Sequence, residues 1–171
     1  MKNIYLIGFM GAGKSTIAKE LVKKTDAKRI EMDQMIVEQQ GMAISDIFDK
    51  YGEEHFRDLE TELLRSFSGK TNMVVSCGGG SVLRDENARL MKENGCIILL
   101  KATPETIYER VKNSTERPIL NGNMNVEFIR ELMEKRRERY ESVADITVCV
   151  DGKEKAEVCQ EILEAVKNIQ A

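Results

Sequence analysis

A chain of 171 residues suits a single compact domain, and 42% apolar residues suffice for one continuous core. With 26 Lys+Arg against 29 Asp+Glu the formal net charge is −3, which excludes a global basic field for nucleic acid and leaves any anion binding to a local site. No apolar run approaches the roughly 18 residues a membrane span needs, so no membrane partner is expected.

In chain order, the first apolar run is Asn3-Ile4-Tyr5-Leu6-Ile7, too short for the core of a secretion signal and broken by Gly8 to Gly13. It leads into Gly8-Phe9-Met10-Gly11-Ala12-Gly13-Lys14-Ser15, a match to G-x-x-x-x-G-K-[ST]. An amphipathic helix follows over roughly 14–24, with Ile17, Ala18, Leu21 and Val22 on its apolar face. Strand, octapeptide and helix in register predict a phosphate cradle. The glycines let backbone N–H groups point at phosphate oxygens, and the helix N-terminus adds the positive end of a dipole. Lys14 is expected to reach the β- and γ-phosphates, and Ser15 to offer a hydroxyl to Mg²⁺. The motif points to a nucleotide without naming the reaction.

A weaker strand at 28–32 precedes Asp33, which reads either as an ordinary helix cap or as a carboxylate at a strand end that accepts hydrogen bonds from substrate hydroxyls. Helical patterns follow at 34–40, 44–50 and 53–67. The last has an apolar stripe of Phe56, Leu59, Leu63, Leu64 and Phe67, with Glu60 inside it and Arg57 at its edge. Their i, i+3 spacing allows a mere surface ion pair, or a carboxylate that holds a guanidinium toward a ligand. His55, the only histidine, lies among charged residues and reads as solvated.

The strand at 73–76 ends in Cys77-Gly78-Gly79-Gly80-Ser81, a glycine run that lets backbone approach a ligand closely. Ligands gather at the carboxyl ends of strands in a parallel sheet, so this loop and the phosphate cradle should face one pocket. A helix at 85–93, a strand at 96–100 and a helix at 104–112 follow, the last opened by Thr103 as cap and Pro104 at the first position. The polar stretch 113–125 is long for a loop inside a compact domain and reads as a lid. In the helix at 126–142, the stripe Ile129, Leu132, Met133, Tyr140 and Val143 passes through Arg136. Arg136 should therefore face inward and need an anion or a carboxylate, while Arg137 and Arg139 can face water. A strand at 146–150 and a helix at 154–169 close the chain. Cys96 and Cys149 fall in strands predicted to be buried, and all four cysteines read as structural thiols of a reducing compartment.

Strands apolar on both sides and alternating with helices predict a parallel sheet covered on both faces. Two inward arginines and one carboxylate suggest a substrate with an acid at one end and hydroxyls at the other. Taken together, the residues resemble the shikimate kinase family over nearly the whole chain. The markers are residues 8–16 through Thr16, Glu31-Met32-Asp33, Ile47-Phe48 with Gly52-Glu53, Phe56-Arg57 with Glu60, Gly78-Gly79-Gly80, Arg117-Pro118-Ile119-Leu120, and Arg136 four residues before Tyr140.

The resemblance implies one α/β domain over 1–171, a P-loop NTPase three-layer α/β/α sandwich on a five-stranded parallel sheet. It would be like a nucleoside-monophosphate kinase, with a lid near 113–125 and a substrate-binding helical region near 33–62. It implies a cytoplasmic monomer without nucleic-acid or membrane partners that moves the γ-phosphoryl of ATP to the 3-hydroxyl of shikimate. Gly11, Ala12, Gly13, Lys14, Ser15, Thr16, Arg110 and Arg117 would hold ATP, Arg110 against the adenine and Arg117 from the lid. Asp33, Arg57, Gly78, Gly79, Gly80 and Arg136 would bind shikimate, the arginines at its carboxylate. Lys14, Asp33 and Arg117 would be catalytic, and Ser15 and Glu31 would serve Mg²⁺, with Ser76 in its outer shell. The family has Asp where this chain has Glu31, and Glu138 stands where it often has Pro. A gluconate kinase or another hydroxy-acid kinase is the close alternative, and a nucleotide-dependent regulatory switch the distant one.

Overall fold

The computed structural model describes residues 1–112 and 125–170. The lid expected near 113–125, apart from Asn125, and with it Arg117, lies outside the described residues. The elements are β1 (Asn3–Ile7), α1 (Lys14–Lys23), β2 (Lys28–Glu31), α2 (Met32–Gln40), α3 (Ile44–Tyr51), α4 (Glu53–Ser66), β3 (Met73–Ser76), α5 (Asp85–Asn94), β4 (Gly95–Lys101), α6 (Pro104–Val111), α7 (Val126–Val143), β5 (Ile146–Cys149) and α8 (Lys155–Gln170).

The five strands are all parallel, in the order β2-β3-β1-β4-β5. β1 lies at the centre with every residue buried, which is why its sequence is apolar on both faces rather than alternating. Its one polar member, Asn3, is satisfied on both sides: it donates to the Lys70 carbonyl at 2.8 Å and accepts from the Met73 N–H at 3.0 Å. Helix α1 lays Ile17, Ala18 and Leu21 into the core beneath the sheet.

Two local expectations change. Met32 leaves the strand and becomes the first residue of α2, so Asp33 stands in the first helical turn rather than at a cap position. Cys149 is exposed, not buried. It lies on the edge strand β5, where residues alternate and only Val148 turns into the core. The other face of β5 opens on a cavity of about 410 Å³ between the β4–β5 strands and α7, floored by Leu99, Met133, Tyr140 and Cys149. The predicted start of α6 forms as read, with the Thr103 hydroxyl accepting from the Thr106 N–H at 3.2 Å ahead of Pro104.

The strand order positions the site. β2, β3 and β1 are neighbours, so the segments that leave their carboxyl ends, at Met32–Asp33, at 77–81 and at 8–14, meet along one edge of the sheet. Leu21→Ala removes a fully buried side chain at the joint of α1 with this sheet. It should lower the unfolding free energy by about 3 kcal/mol, read from urea denaturation.

Candidate active site

The cradle after β1 curls so tightly that Gly13, the residue before α1, takes φ 98°, in the left-handed region where a side chain strains the backbone. Ala12 is buried, and its N–H donates to the Phe9 carbonyl at 3.1 Å; Ser15 and Thr16 are exposed at the open end of α1. The Lys14 ammonium lies over its own loop and donates to the carbonyls of Gly8 at 2.5 Å and Phe9 at 3.4 Å. From α6, Arg110 donates to the Gly11 carbonyl at 3.1 Å. Burial raises the Asp151 carboxyl, but hydrogen bonds from Thr103 and Thr106, and after them the Arg110 charge, hold it below its ordinary range.

Ser15 donates its hydroxyl to Glu31 Oε2 at 2.8 Å, and Ser76 Oγ lies 3.5 Å from Ser15 Oγ. The second carboxylate oxygen, Glu31 Oε1, is buried and has no hydrogen-bond partner among the described residues. Arg29 Nε lies 4.0 Å from it, and a carboxylate oxygen without a hydrogen bond beside two hydroxyls is an all-oxygen ligand set that fits Mg²⁺. Among the described residues no group of three or more His, Cys, Asp or Glu could hold a metal by itself.

The glycine run after β3 is the floor on which the ionisable residues meet. A Cβ built on Gly78 would lie 2.9 Å from both Asp33 Oδ1 and Glu60 Oε2. One on Gly79 would lie 3.2 Å from Arg136 Nη1, and one on Gly80 would collide with the Arg57 guanidinium. None of these glycines takes a positive φ; a side chain at any of them would instead push aside the charged groups from α2, α4 and α7 that occupy the space. Both expected arginines and the expected carboxylate therefore converge here.

Arg57 and Glu60 are 9% and 0% exposed, and Arg57 Nη1 donates to Glu60 Oε1 at 2.7 Å. The pair is thus buried rather than a surface contact, with Glu53 3.4 Å from Arg57 Nη2 at its outer edge. Glu60 Oε2 has no hydrogen-bond partner among the described residues. Burial pushes the Glu60 carboxyl above its ordinary value; Arg57 opposes the rise and the nearby Asp33 charge adds to it. Burial likewise raises the Tyr140 hydroxyl, against the Arg136 charge. Cys77, buried at the base of the loop, is raised so far by burial that it remains a neutral thiol.

Arg137 faces outward as expected, paired with Glu134 at 2.7 Å. Arg139 does not: its Nε donates to the Val82 carbonyl at 2.7 Å, and Nη2 lies 3.0 Å from Asp85. Three residues after Arg136 is about 60° away around a helix, close enough to share its inward face. His55 is half-buried, its ring 4.7 Å from that of Tyr51, instead of solvated. Sequence reading also missed the Tyr140 hydroxyl, which donates to the Gly79 carbonyl at 2.5 Å. It missed Asn87 as well, although Asn87 stands one turn before the buried Met91 on α5 and so signals an inward polar group.

A family model described as shikimate kinase matches residues 10–167. A shikimate kinase from Persephonella marina is 45% identical over 98% of this chain and 100% of its own length. Among solved structures, a shikimate kinase from Acinetobacter baumannii in complex with shikimate superposes with a TM-score of 0.91 at 29% identity, over 98% of this chain and 94% of that one. The enzyme from Aquifex aeolicus gives 0.84 at 38% identity, over 98% of both chains. A gluconokinase from Sinorhizobium meliloti, at 16% identity and a TM-score of 0.59, shares the fold alone.

Because Glu60 binds its proton more tightly folded than unfolded, its stabilising contribution is complete below its ordinary value of 4.5 and fades as pH rises through the raised folded value. The stability of the natural chain relative to Glu60→Gln should therefore fall as pH increases above 4.5 and then level off. Urea denaturation of both proteins across a pH series measures this; a constant difference would exclude a raised Glu60.

Proposed function

The chain belongs to the shikimate kinase family, and on that premise we propose that the slot above the glycine run binds shikimate and phosphorylates its 3-hydroxyl with ATP. It is an ATP-dependent phosphotransferase acting on a hydroxyl of shikimate. One observation carries the assignment of residues: Arg57 and Arg136 close on Gly80 and Gly79 while Asp33 closes on Gly78, on the same edge of the sheet as the phosphate cradle. This pairs two cations with an acid group and sets a carboxylate beside hydroxyls, the charge pattern of a small hydroxy acid.

In the reaction, the substrate hydroxyl oxygen forms a bond to the γ-phosphorus as the bond to the β–γ bridging oxygen breaks and ADP leaves. Asp33 orients the hydroxyl and takes its proton. Arg57 and Arg136 hold the carboxylate so that the hydroxyl lies in line with the γ-phosphate. Lys14 moves from its own loop onto the terminal phosphates and balances their charge, and Arg110 supports the cradle at Gly11. Ser15, Glu31 and Ser76 would hold Mg²⁺ on the nucleotide, where it would supply neutralisation of the phosphate charge.

We read the chain as one kinase domain over 1–171 that acts as a cytoplasmic monomer. No described helix is long and apolar enough to cross a membrane, and its four cysteines are free thiols.

Three measurements test the proposal. ADP release with MgATP should respond to shikimate and far less to quinate, gluconate or nucleoside monophosphates; an equal or larger response to gluconate would replace shikimate as the acceptor. Lys14→Ala should lower kcat by at least about a hundredfold. Arg136→Ala should weaken kcat/KM for shikimate by about 2–4 kcal/mol, mostly through KM. An unchanged shikimate KM would remove Arg136 from the carboxylate.

A further inference from the structure

In the loop 78–82 every carbonyl oxygen is taken by a donor of the protein. Gly78 O accepts from the Ser81 N–H at 3.1 Å and the Ser81 hydroxyl at 2.8 Å, and Gly80 O from the Leu83 N–H at 3.2 Å. Gly79 O accepts from Tyr140, Ser81 O from Asn87 Nδ2 at 2.8 Å, and Val82 O from Arg139. By contrast, no hydrogen bond from the N–H of Gly79 or Gly80 occurs among the described residues. A peptide's N–H points opposite to the carbonyl it shares a plane with. Fixing the carbonyls of Gly78 and Gly79 therefore fixes the N–H groups of Gly79 and Gly80 on the other side, available to an anion.

One of these anchors, Asn87, is 0% exposed on α5. Its Oδ1 accepts the Thr61 hydroxyl at 2.7 Å. Thr61 is itself buried on α4, one turn after Arg57, and its oxygen accepts from Arg84 Nη1 at 3.2 Å. A hydroxyl has one proton, and the Asn87 oxygen is nearer than the alternative acceptor, the Arg57 carbonyl at 3.1 Å. Turning the Asn87 amide over would set its carbonyl against the Ser81 carbonyl, so the donor direction is fixed. The bonds run one way, from Arg84 through Thr61 and Asn87 to Ser81, and they join the helix that carries Arg57 and Glu60 to the loop that carries the amide donors.

We propose that Thr61 and Asn87 are positioning residues for the acid-binding slot, holding α4 and the glycine loop in one register so that a carboxylate meets the Arg57 guanidinium and the loop N–H groups together. The inference rests on the reading of this slot as the shikimate site. Neither side chain reaches the slot itself; each acts through Ser81 and through the backbone of α4.

The test uses Thr61→Val, which keeps the shape and removes the hydroxyl, and Asn87→Asp, which keeps the shape and sets an acceptor against the Ser81 carbonyl. Thr61→Ser serves as the rescue. Melting temperature, calorimetric shikimate Kd, and KM for shikimate and ATP are measured for each. Thr61→Val and Asn87→Asp should raise shikimate Kd and KM by about tenfold while ATP KM stays within about twofold, and Thr61→Ser should restore natural values. Folded variants with natural shikimate Kd, or with both KM values raised alike, would overturn the proposal. So would loss of the fold in both, which would assign the pair to the core. A natural enzyme that fails to phosphorylate shikimate would instead sink the functional reading beneath it.

Discussion

The arrangement depends on one close approach: a side chain at residues 78 to 80 would displace the four charged groups that stand where their Cβ atoms would point. A hydrogen in place of a methyl lets the guanidinium groups of Arg57 and Arg136 and the carboxylates of Asp33 and Glu60 come down onto backbone. Without that approach the charges would be spread over a wider pocket. The parallel order β2-β3-β1 makes the approach possible, since it sets the ends of three strands side by side.

Concentrating charge in this way has a cost that the local structure partly offsets. Burying Arg57 alone would be prohibitive, and Glu60 neutralises it within one helical turn. Glu60 in turn keeps one oxygen without a hydrogen-bond partner among the described residues, and burial raises its proton affinity. Local imperfection of this kind is expected where groups are arranged to meet a ligand instead of each other.

Much of this was legible in the sequence, for physical reasons that differ by residue. The cradle at 8–15 is contiguous, so its chemistry and its strand–helix context can be read together. Arg57, Glu60 and Arg136 stood out because a charged residue on an apolar helical stripe must have a partner. Arg139 was misjudged because the stripe was drawn too narrowly around Arg136, and Cys149 because an edge strand buries one face where inner strands bury two. The Thr61–Asn87–Ser81 chain was out of reach: it joins two helices and a loop, and only their packing reveals that the polar groups answer one another. The glycine run was flagged as a site of close approach, yet what approaches it proved to be the protein's own side chains as well.

The Lys14 ammonium already has carbonyl partners in its own loop. Where the lysine leaves those carbonyls for a nucleotide, neutral oxygens are exchanged for anionic ones. A weakly charged or singly bonded anion offers little advantage over the carbonyls it must displace, whereas a triphosphate offers a large one. The self-bonded lysine thus sets a threshold on charge, and the cradle discriminates against stray anions before any part of the base or sugar is read.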